Sequence, residues 1–271
     1  MFFFRNSYGD WQEEFDKFKL GKVCAYLINL DKATERLNFV RKSIEELGFL
    51  FTRISAVDGN NLSREKMESI IDLETYKKCF KMLPEPGTIG CALSHKKSWE
   101  SFLKSDNEFA IIFEDDVSFD PKELRKTVQE VLKKKKLWDI VSFEVKHYGL
   151  PVKLTSLSFY KKLVFYLTNV THAGCYLINR YAAYQLLQKF YPIKMPVDHY
   201  FTSSWAFNLK FAGVEPRIVH QKFGDSQIKT CVSSKIRTPK ILISNLLYNI
   251  QRAIIHFLYN IKRFCQLCYN R

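Results

Sequence analysis

Residues 23–59 read as a strand, a helix and a second strand, and no other segment narrows the possible folds as much. VCAYLINL (23–30) is an uncharged run of apolar, β-branched and aromatic residues, as in a strand buried on both faces. Asp31 stands where a helix begins. Leu37, Val40, Ile44 and Leu47 then recur at helical spacing, and Gly48 is placed to stop the helix. FLFTRISAV (49–57) is a second strand, closed by the Asp58-Gly59 turn signal. A strand, helix and strand in succession seed a parallel sheet in an α/β fold.

Further along, residues 62–83 have helical periodicity, LPEPGTIG reads as a loop, and a helix returns from Cys91 through CALSHKKSWESFLKS. EFAIIF (108–113) and WDIVSFEV (138–145) are further strands, separated by a helix that Pro121 can open. HAGCYLINRYAAYQLLQKF (172–190) predicts a short strand followed by a helix. Another helix is expected from Asp198, then a strand and exit loop over 216–228. The aromatic and basic stretch 146–171 has no clear period.

The charge balance sharpens one detail. The chain carries 42 Lys and Arg against 28 Asp and Glu, a net charge of +14, which predicts an anionic partner: nucleic acid, a membrane face or a phosphorylated substrate. Yet AIIFEDDV (110–117) runs four apolar residues straight into Glu114, Asp115 and Asp116. In open α/β sheets ligands gather outside the carboxyl ends of strands. Carboxylates there suit a hard divalent cation that also holds phosphates. The plainer reading is a solvated acidic turn.

An apolar fraction of 46% excludes a disordered chain. The seven cysteines are too few and scattered for a disulfide scaffold, and their odd number favours reduced thiols in a cytosolic setting. Cys265-x-x-Cys268 alone is a poor zinc site. MFFFRNSYGD at the start is too short an apolar run for a secretory signal or a spanning helix. Beyond Asp225 there are eight Lys or Arg and no acid. From Ile241 the residues Leu242, Ile243, Leu246, Leu247, Ile250, Ile254, Phe257, Leu258, Ile261 and Phe264 make a helical stripe, with Arg252, His256, Lys262 and Arg263 off it. Such a helix either lies on an anionic membrane or packs its stripe on its own domain.

The segment 23–59, then GTIGCALSHKKSW and AIIFEDDV, then THAGCYLINRYAAYQLL, MPVDHYF and PRIVHQKFGDSQI, together resemble glycosyltransferase family 25. These are the lipopolysaccharide and lipooligosaccharide biosynthesis transferases, related to the collagen galactosyltransferases. The resemblance covers about residues 22 to 230. It implies an α/β, GT-A type nucleotide-sugar-binding (Rossmann-like) domain with a mainly parallel central sheet over 22–230. An N-terminal extension (1–21) would precede it and a basic amphipathic helical tail (231–271) follow.

The implied reaction is inverting and metal-dependent: a hexose, galactose in the first instance, passes from a UDP-hexose to a lipid-linked oligosaccharide acceptor. The implied cofactor is Mn²⁺ or Mg²⁺. Asp116 would ligate it directly, Glu114 and Asp115 would meet water, ribose or donor sugar, and Glu114 could share the metal. His220 or His199 would complete the site. Asn29, Leu30 and Arg36 would cradle the nucleotide, with Arg36 on a phosphate. Ala56 and Asp58 end the second strand, and Asp58 would accept from uracil or ribose unless it is only a turn former. Gly87 and Gly90 would let the ligand approach, with Ser94 and His95 on the donor sugar or its diphosphate. Asp198 is the expected general base, its alternative being a helix N-cap. Asp225 and Ser226 would close over the diphosphate or acceptor. The expected location is cytoplasmic, peripheral on the inner membrane through the tail, with no nucleic acid bound. Two rival readings are a basic metal-dependent nucleic-acid enzyme or binder, and an inactive membrane-bound carbohydrate-binding relative.

Overall fold

The computed structural model describes residues 22–49, 51–145, 149–222 and 239–269. The N-terminal extension and the Asp225-Ser226 pair lie outside the described residues. β1 (Val23–Asn29), α1 (Thr34–Glu46) and β2 (Phe51–Ser55) form the unit predicted from 23–59, with β1 and β2 paired in parallel from Ala25↔Phe51 to Asn29↔Ser55. α1 starts three residues later than expected, because Asp31 is held by Arg53 and Ser55 across the strand end.

Two short helices, α2 (Arg64–Ile70) and α3 (Leu73–Phe80), lead to the long α4 (Pro86–Lys104). The stretch read as the loop LPEPGTIG is mostly the first turns of α4. Pro86 sits in the first turn, where its missing N–H costs nothing. β3 (Phe109–Glu114) pairs in parallel with β1, and the acidic triplet then turns into β4 (Val117–Phe119) and α5 (Pro121–Leu132). β5 (Ile140–Ser142), β6 (Pro151–Ser156), β7 (Lys162–Tyr166) and β8 (Cys175–Asn179) follow. After α6 (Arg180–Gln188), α7 (Val197–Thr202) and α8 (Ser204–Phe207) come β9 (Phe211–Glu215), β10 (Val219–Gln221) and α9 (Pro239–Tyr269).

Eight strands form one sheet in the order β2-β1-β3-β8-β5-β9-β7-β6, and β4 with β10 forms a two-stranded ribbon. β2, β1 and β3 are the parallel core expected from the sequence. β8 then enters antiparallel between β3 and β5, so the sheet is mixed. β1, β2, β3, β5 and β9 all run one way, and their carboxyl ends share one edge. The first residues of β8 reach the same edge from the opposite direction.

Side chains alternate across the strands. Leu27, Ile111 and Phe113 face a layer containing Val40 and Ile44 of α1 and Leu124 and Val128 of α5. Tyr26, Ile28 and Ile112 face the other layer, with Trp99 and Phe102 of α4, Leu186 of α6 and Phe201 of α7. β3 is covered on both sides, which is why its sequence is apolar without alternation. The acids begin where that cover ends.

Candidate active site

β3 delivers Glu114, Asp115 and Asp116 to the shared strand edge, and each acid meets a different element. Glu114 donates its backbone N–H to Gly174 O at 2.8 Å, and its Oε1 lies 3.0 Å from His95 Nε2 on α4. His95 is fully buried; its Nδ1 is 2.9 Å from the Tyr176 hydroxyl, which accepts from Trp99 Nε1 at 2.9 Å. Burial keeps the Tyr176 phenol protonated. The two ring nitrogens of His95 are thus held between the Tyr176 hydroxyl and the Glu114 carboxyl. Burial alone would raise the Glu114 carboxyl, but the His95 contact outweighs it and holds Glu114 below the ordinary glutamate range.

Asp115 accepts from Asn29 Nδ2 at 2.7 Å, and Arg36 Nη1 lies 3.4 Å from its other oxygen. Burial still raises it, only partly offset by these partners. Asp116 takes Gln221 Nε2 on Oδ2 at 2.8 Å, and its backbone carbonyl accepts from Lys222 N at 2.8 Å. The β4–β10 ribbon exists to make this contact possible, since it sets Gln221 opposite Val117. Asp116 is 7% exposed, and among the described residues its Oδ1 has no hydrogen-bond partner. Burial and then the Glu114 charge push its carboxyl up to about 6.

The opposite wall comes from β5, β8 and α7. Residues 172–174 tie two acids together: the His172 N–H donates to Asp198 Oδ2 at 3.2 Å, the His172 ring meets Glu144 at 3.4 Å, and Gly174 N–H donates to Glu144 Oε2 at 3.0 Å. His172 adopts φ of 83°, a left-handed backbone unusual for histidine and common where structure serves a site. A Cβ on Gly174 would sit 2.3 Å from Glu144 Oε2, so a larger residue there would displace the Glu144 carboxylate. Asp198 also accepts from the His199 N–H at 2.9 Å and stays half-buried. Its field reaches Cys91 together with those of Glu114 and Asp116, and with burial these acids push the Cys91 thiol well up.

Several residues singled out from the sequence have other roles. Ser94 is buried, accepts from Val57 N–H at 2.8 Å and donates to Gly90 O at 2.6 Å, so it clips α4 to the end of β2 and offers nothing to a sugar. Gly90 serves the same approach: a Cβ there would lie 2.4 Å from Val57 O. His95 touches Glu114 and Tyr176 and is fully enclosed, which makes it a positioning residue behind the acid. Asp58 caps the turn at Gly59–Asn61 through Asn60 N–H and pairs with Lys32 at 2.5 Å, the turn-former reading. Ala56 N–H and Asn29 O join the first two strand ends, with Leu30 half-buried beside them. His220 is exposed; adjacent residues on a strand point to opposite sides, and it is Gln221 that reaches Asp116. His199 has a buried Nδ1 and packs edge-on against Phe80, away from the triplet. Pro196 holds the N-cap position of α7 without a side-chain cap, and Asp198 lies in the first turn rather than at the N-cap.

Glu144, His172 and Gln221 were not singled out. Glu144 had a readable signal, an acid in the last positions of the apolar run WDIVSFEV, the same pattern that marked the triplet. His172 and Gln221 are placed by a backbone angle and a strand register that no local pattern announces.

The residues fit a divalent cation. Two sets of donor atoms offer themselves. Cys91 Sγ, His95 Nε2 and Glu114 Oε1 lie within 4.8 Å of one another. That set is already satisfied internally, with a raised thiol and both histidine nitrogens engaged. The carboxylate set has an unmet oxygen, Asp116 Oδ1, on the residue that follows two further acids, which is the chemistry a hard cation completes.

A model of Glycosyltransferase family 25 (LPS biosynthesis protein) matches residues 23–201, more than half of the chain. An Aedes aegypti Glycosyltransferase 25 family member is 33% identical over 132 residues, 47% of this chain and 22% of the relative. The Mus musculus Procollagen galactosyltransferase 2 is 28% identical over 129 residues, 45% of this chain and 21% of the relative. A Rattus norvegicus protein called "Probable inactive glycosyltransferase 25 family member 3" is 28% identical over 129 residues, 45% of this chain and 23% of the relative. The chain therefore spans less than a quarter of the length of these curated relatives.

Proposed function

This chain belongs to glycosyltransferase family 25, and from that premise we propose that it transfers a hexose, in the first instance galactose from UDP-galactose, to an oligosaccharide acceptor. The observation that carries the reading is Asp116 Oδ1, a buried acceptor without a partner among three consecutive carboxylates at a strand end. On this reading the domain works as a GT-A type nucleotide-sugar site, and the acceptor is a lipid-linked oligosaccharide of the lipopolysaccharide or lipooligosaccharide class. The family description supports that class, and the galactosyltransferase named among the relatives supports the sugar.

Asp116, with Glu114 and Asp115 beside it, would hold Mn²⁺ or Mg²⁺. When bound, the cation neutralises the diphosphate and stabilises it as a leaving group. Arg36, 3.4 Å from Asp115 and 4.0 Å from Asp116, is poised to place its guanidinium on the same diphosphate. His95 keeps Glu114 ionised and oriented. Asp198, half-buried and facing the same edge through residues 172–174, takes the proton of the acceptor hydroxyl as its oxygen bonds to the anomeric carbon. The bond from that carbon to the diphosphate breaks on the opposite face, so the configuration inverts.

The test is acceptor-free hydrolysis of a panel of UDP-sugars with and without Mn²⁺, comparing wild type with Asp116→Ala. One sugar nucleotide cleaved slowly, only with metal and only by wild type, is the expected result. Binding without cleavage, even with acceptor oligosaccharides added, would identify an inactive relative, as one rat family member is named. Failure to bind any nucleotide sugar would overturn the proposal.

A further inference from the structure

α9 is built inside out. Its polar residues face the protein: Asn245, Arg252, His256, Asn260 and Arg263 are all buried. Its apolar residues face outward, with Ile243 61%, Leu247 62%, Ile254 53% and Leu258 59% exposed. A core helix of a soluble domain does the reverse, and a contiguous exposed apolar face of this kind marks an interaction surface.

The inward contacts fix how α9 can lie. Asn245 Nδ2 donates to Lys78 O and Cys79 O at 3.0 and 2.7 Å near one end. Arg252 reaches Ser203 Oγ at 3.1 Å and His256 Nε2 reaches Tyr166 O at 2.9 Å in the middle. Arg263 Nη1 donates to Phe211 O at 3.2 Å near the other end. The segment Ile241–Gln266 is long and apolar enough to cross a membrane by length and composition. It is nevertheless clamped along its length to the domain, and crossing a bilayer would carry that domain into hydrocarbon.

Two further observations choose the occupant. Exposed Lys78 and Lys136 adjoin carbonyls that α9 contacts, Lys262 of α9 is exposed beside Arg263, and the chain as a whole carries a net charge of +14. A cavity of about 380 Å³ lined by Leu167, Ala253, Ile254 and Phe257 extends the apolar face into the body. A basic rim around an apolar face complements anionic headgroups over acyl chains.

We propose that α9 seats the domain on an anionic bilayer, lying in the plane of the interface with its Ile243–Leu258 face in the acyl region and its polar face locked to the protein. The exposed stripe overturns the alternative that it packs on the protein's own domain; it is the off-stripe residues Arg252, His256 and Arg263 that hold the helix to the domain. It is independent of the transferase reading, because neither donor nor acceptor enters it.

The test is flotation of the full chain with vesicles of phosphatidylcholine alone and of three parts phosphatidylcholine to one of phosphatidylglycerol. The comparison is with Leu247→Ser/Ile254→Ser/Leu258→Ser, whose folding is checked by circular dichroism and thermal midpoint. These side chains are already in solvent, so the variant keeps its fold; Phe159→Ser, exposed elsewhere, is the control. Wild type should bind mixed vesicles more tightly than neutral ones, and the triple variant should lose at least about 30-fold in partitioning. Molar salt should weaken wild-type binding by less than about tenfold, since the apolar part is not screened. Equal binding by wild type and triple variant would overturn the seat. So would a concentration-dependent dimer broken by the variant with no vesicle binding, which would give the face to a second copy of the chain. Equal binding to neutral and anionic vesicles would overturn the anionic assignment.

Discussion

The acidic triplet and the inner face of α9 both bury charged side chains, yet they resolve the burial in opposite ways. On α9 the cations and amides are spread along the helix, and each reaches at least one oxygen of the body: Arg252 on Ser203, Arg263 on Phe211 and Leu137, Asn245 on Lys78 and Cys79. Arg252 Nε and His256 Nδ1, however, have no partner among the described residues. At the end of β3 three like charges are adjacent, one carboxyl is pushed up to about 6, and one oxygen has no partner among the described residues. Buried donors spread over backbone acceptors hold two parts of a protein together. Crowded like charges that raise one another's pKa are costly for the fold alone, and it is this crowding, more than a single unpartnered atom, that marks a place where a cation completes the structure.

That difference predicts opposite responses to mutation. The largest effect should be on turnover: Asp116→Asn should lower it at least about 100-fold, as loss of a central charge-stabilising group does. The same change should leave the fold intact or strengthen it. Because burial raises the Asp116 pKa, ionisation weakens the folded state progressively from about pH 4 to about pH 6. The penalty is complete above that range, and it vanishes only below about pH 4 as both states become protonated. Metal-free Asp116→Asn should therefore exceed wild type in stability by about 2 kcal/mol at neutral pH, with the gap closing on acidification. Urea unfolding at several pH values measures it.

Arg263→Met should do the reverse. It strands the carbonyls of Phe211 and Leu137 and should cost about 2 to 3 kcal/mol by urea unfolding, while turnover per folded molecule changes less than about twofold. Asp120→Ala is a smaller perturbation, far from both regions in kind. It removes the side-chain cap on Glu123 N–H at the start of α5 and should cost about 1 kcal/mol. Lys262→Gln, an exposed neighbour of Arg263, should change stability by less than about 0.5 kcal/mol. A large effect there would erase the distinction between buried and exposed cations on α9.

Much of the parallel half of the sheet was legible. β1 and β3 are largely buried on both faces and therefore spell continuous apolar runs, and the triplet stands out because it interrupts one. β2, at the sheet edge with Thr52 and Ser55 exposed, was legible from its place after α1. β5 was readable as a strand, but not that β8 would enter beside it, since pairing across 30 or more residues leaves no local trace. The β6–β7 hairpin lay in the aromatic and basic stretch without a period. Its strand positions alternate only loosely, with a register shift between Lys153 and Thr155. The stripe on α9 was visible as a period, and a period is blind to direction. α5 turns Leu124, Val128 and Val131 into the core, whereas α9 turns the equivalent face out. Ser94 and Gly90 were read as ligand contacts because a polar, glycine-rich turn looks the same whether it approaches a ligand or another backbone.

The most direct measurement is a Mn²⁺ titration with UDP present, following the electron paramagnetic resonance signal of the free ion for wild type, Asp116→Asn and Cys91→Ala. If the carboxylates hold the cation, wild type and Cys91→Ala should bind alike, and Asp116→Asn should bind at least about 30-fold more weakly. Binding that survives Asp116→Asn and is lost in Cys91→Ala would put the ion at Cys91, His95 and Glu114 and contradict the account.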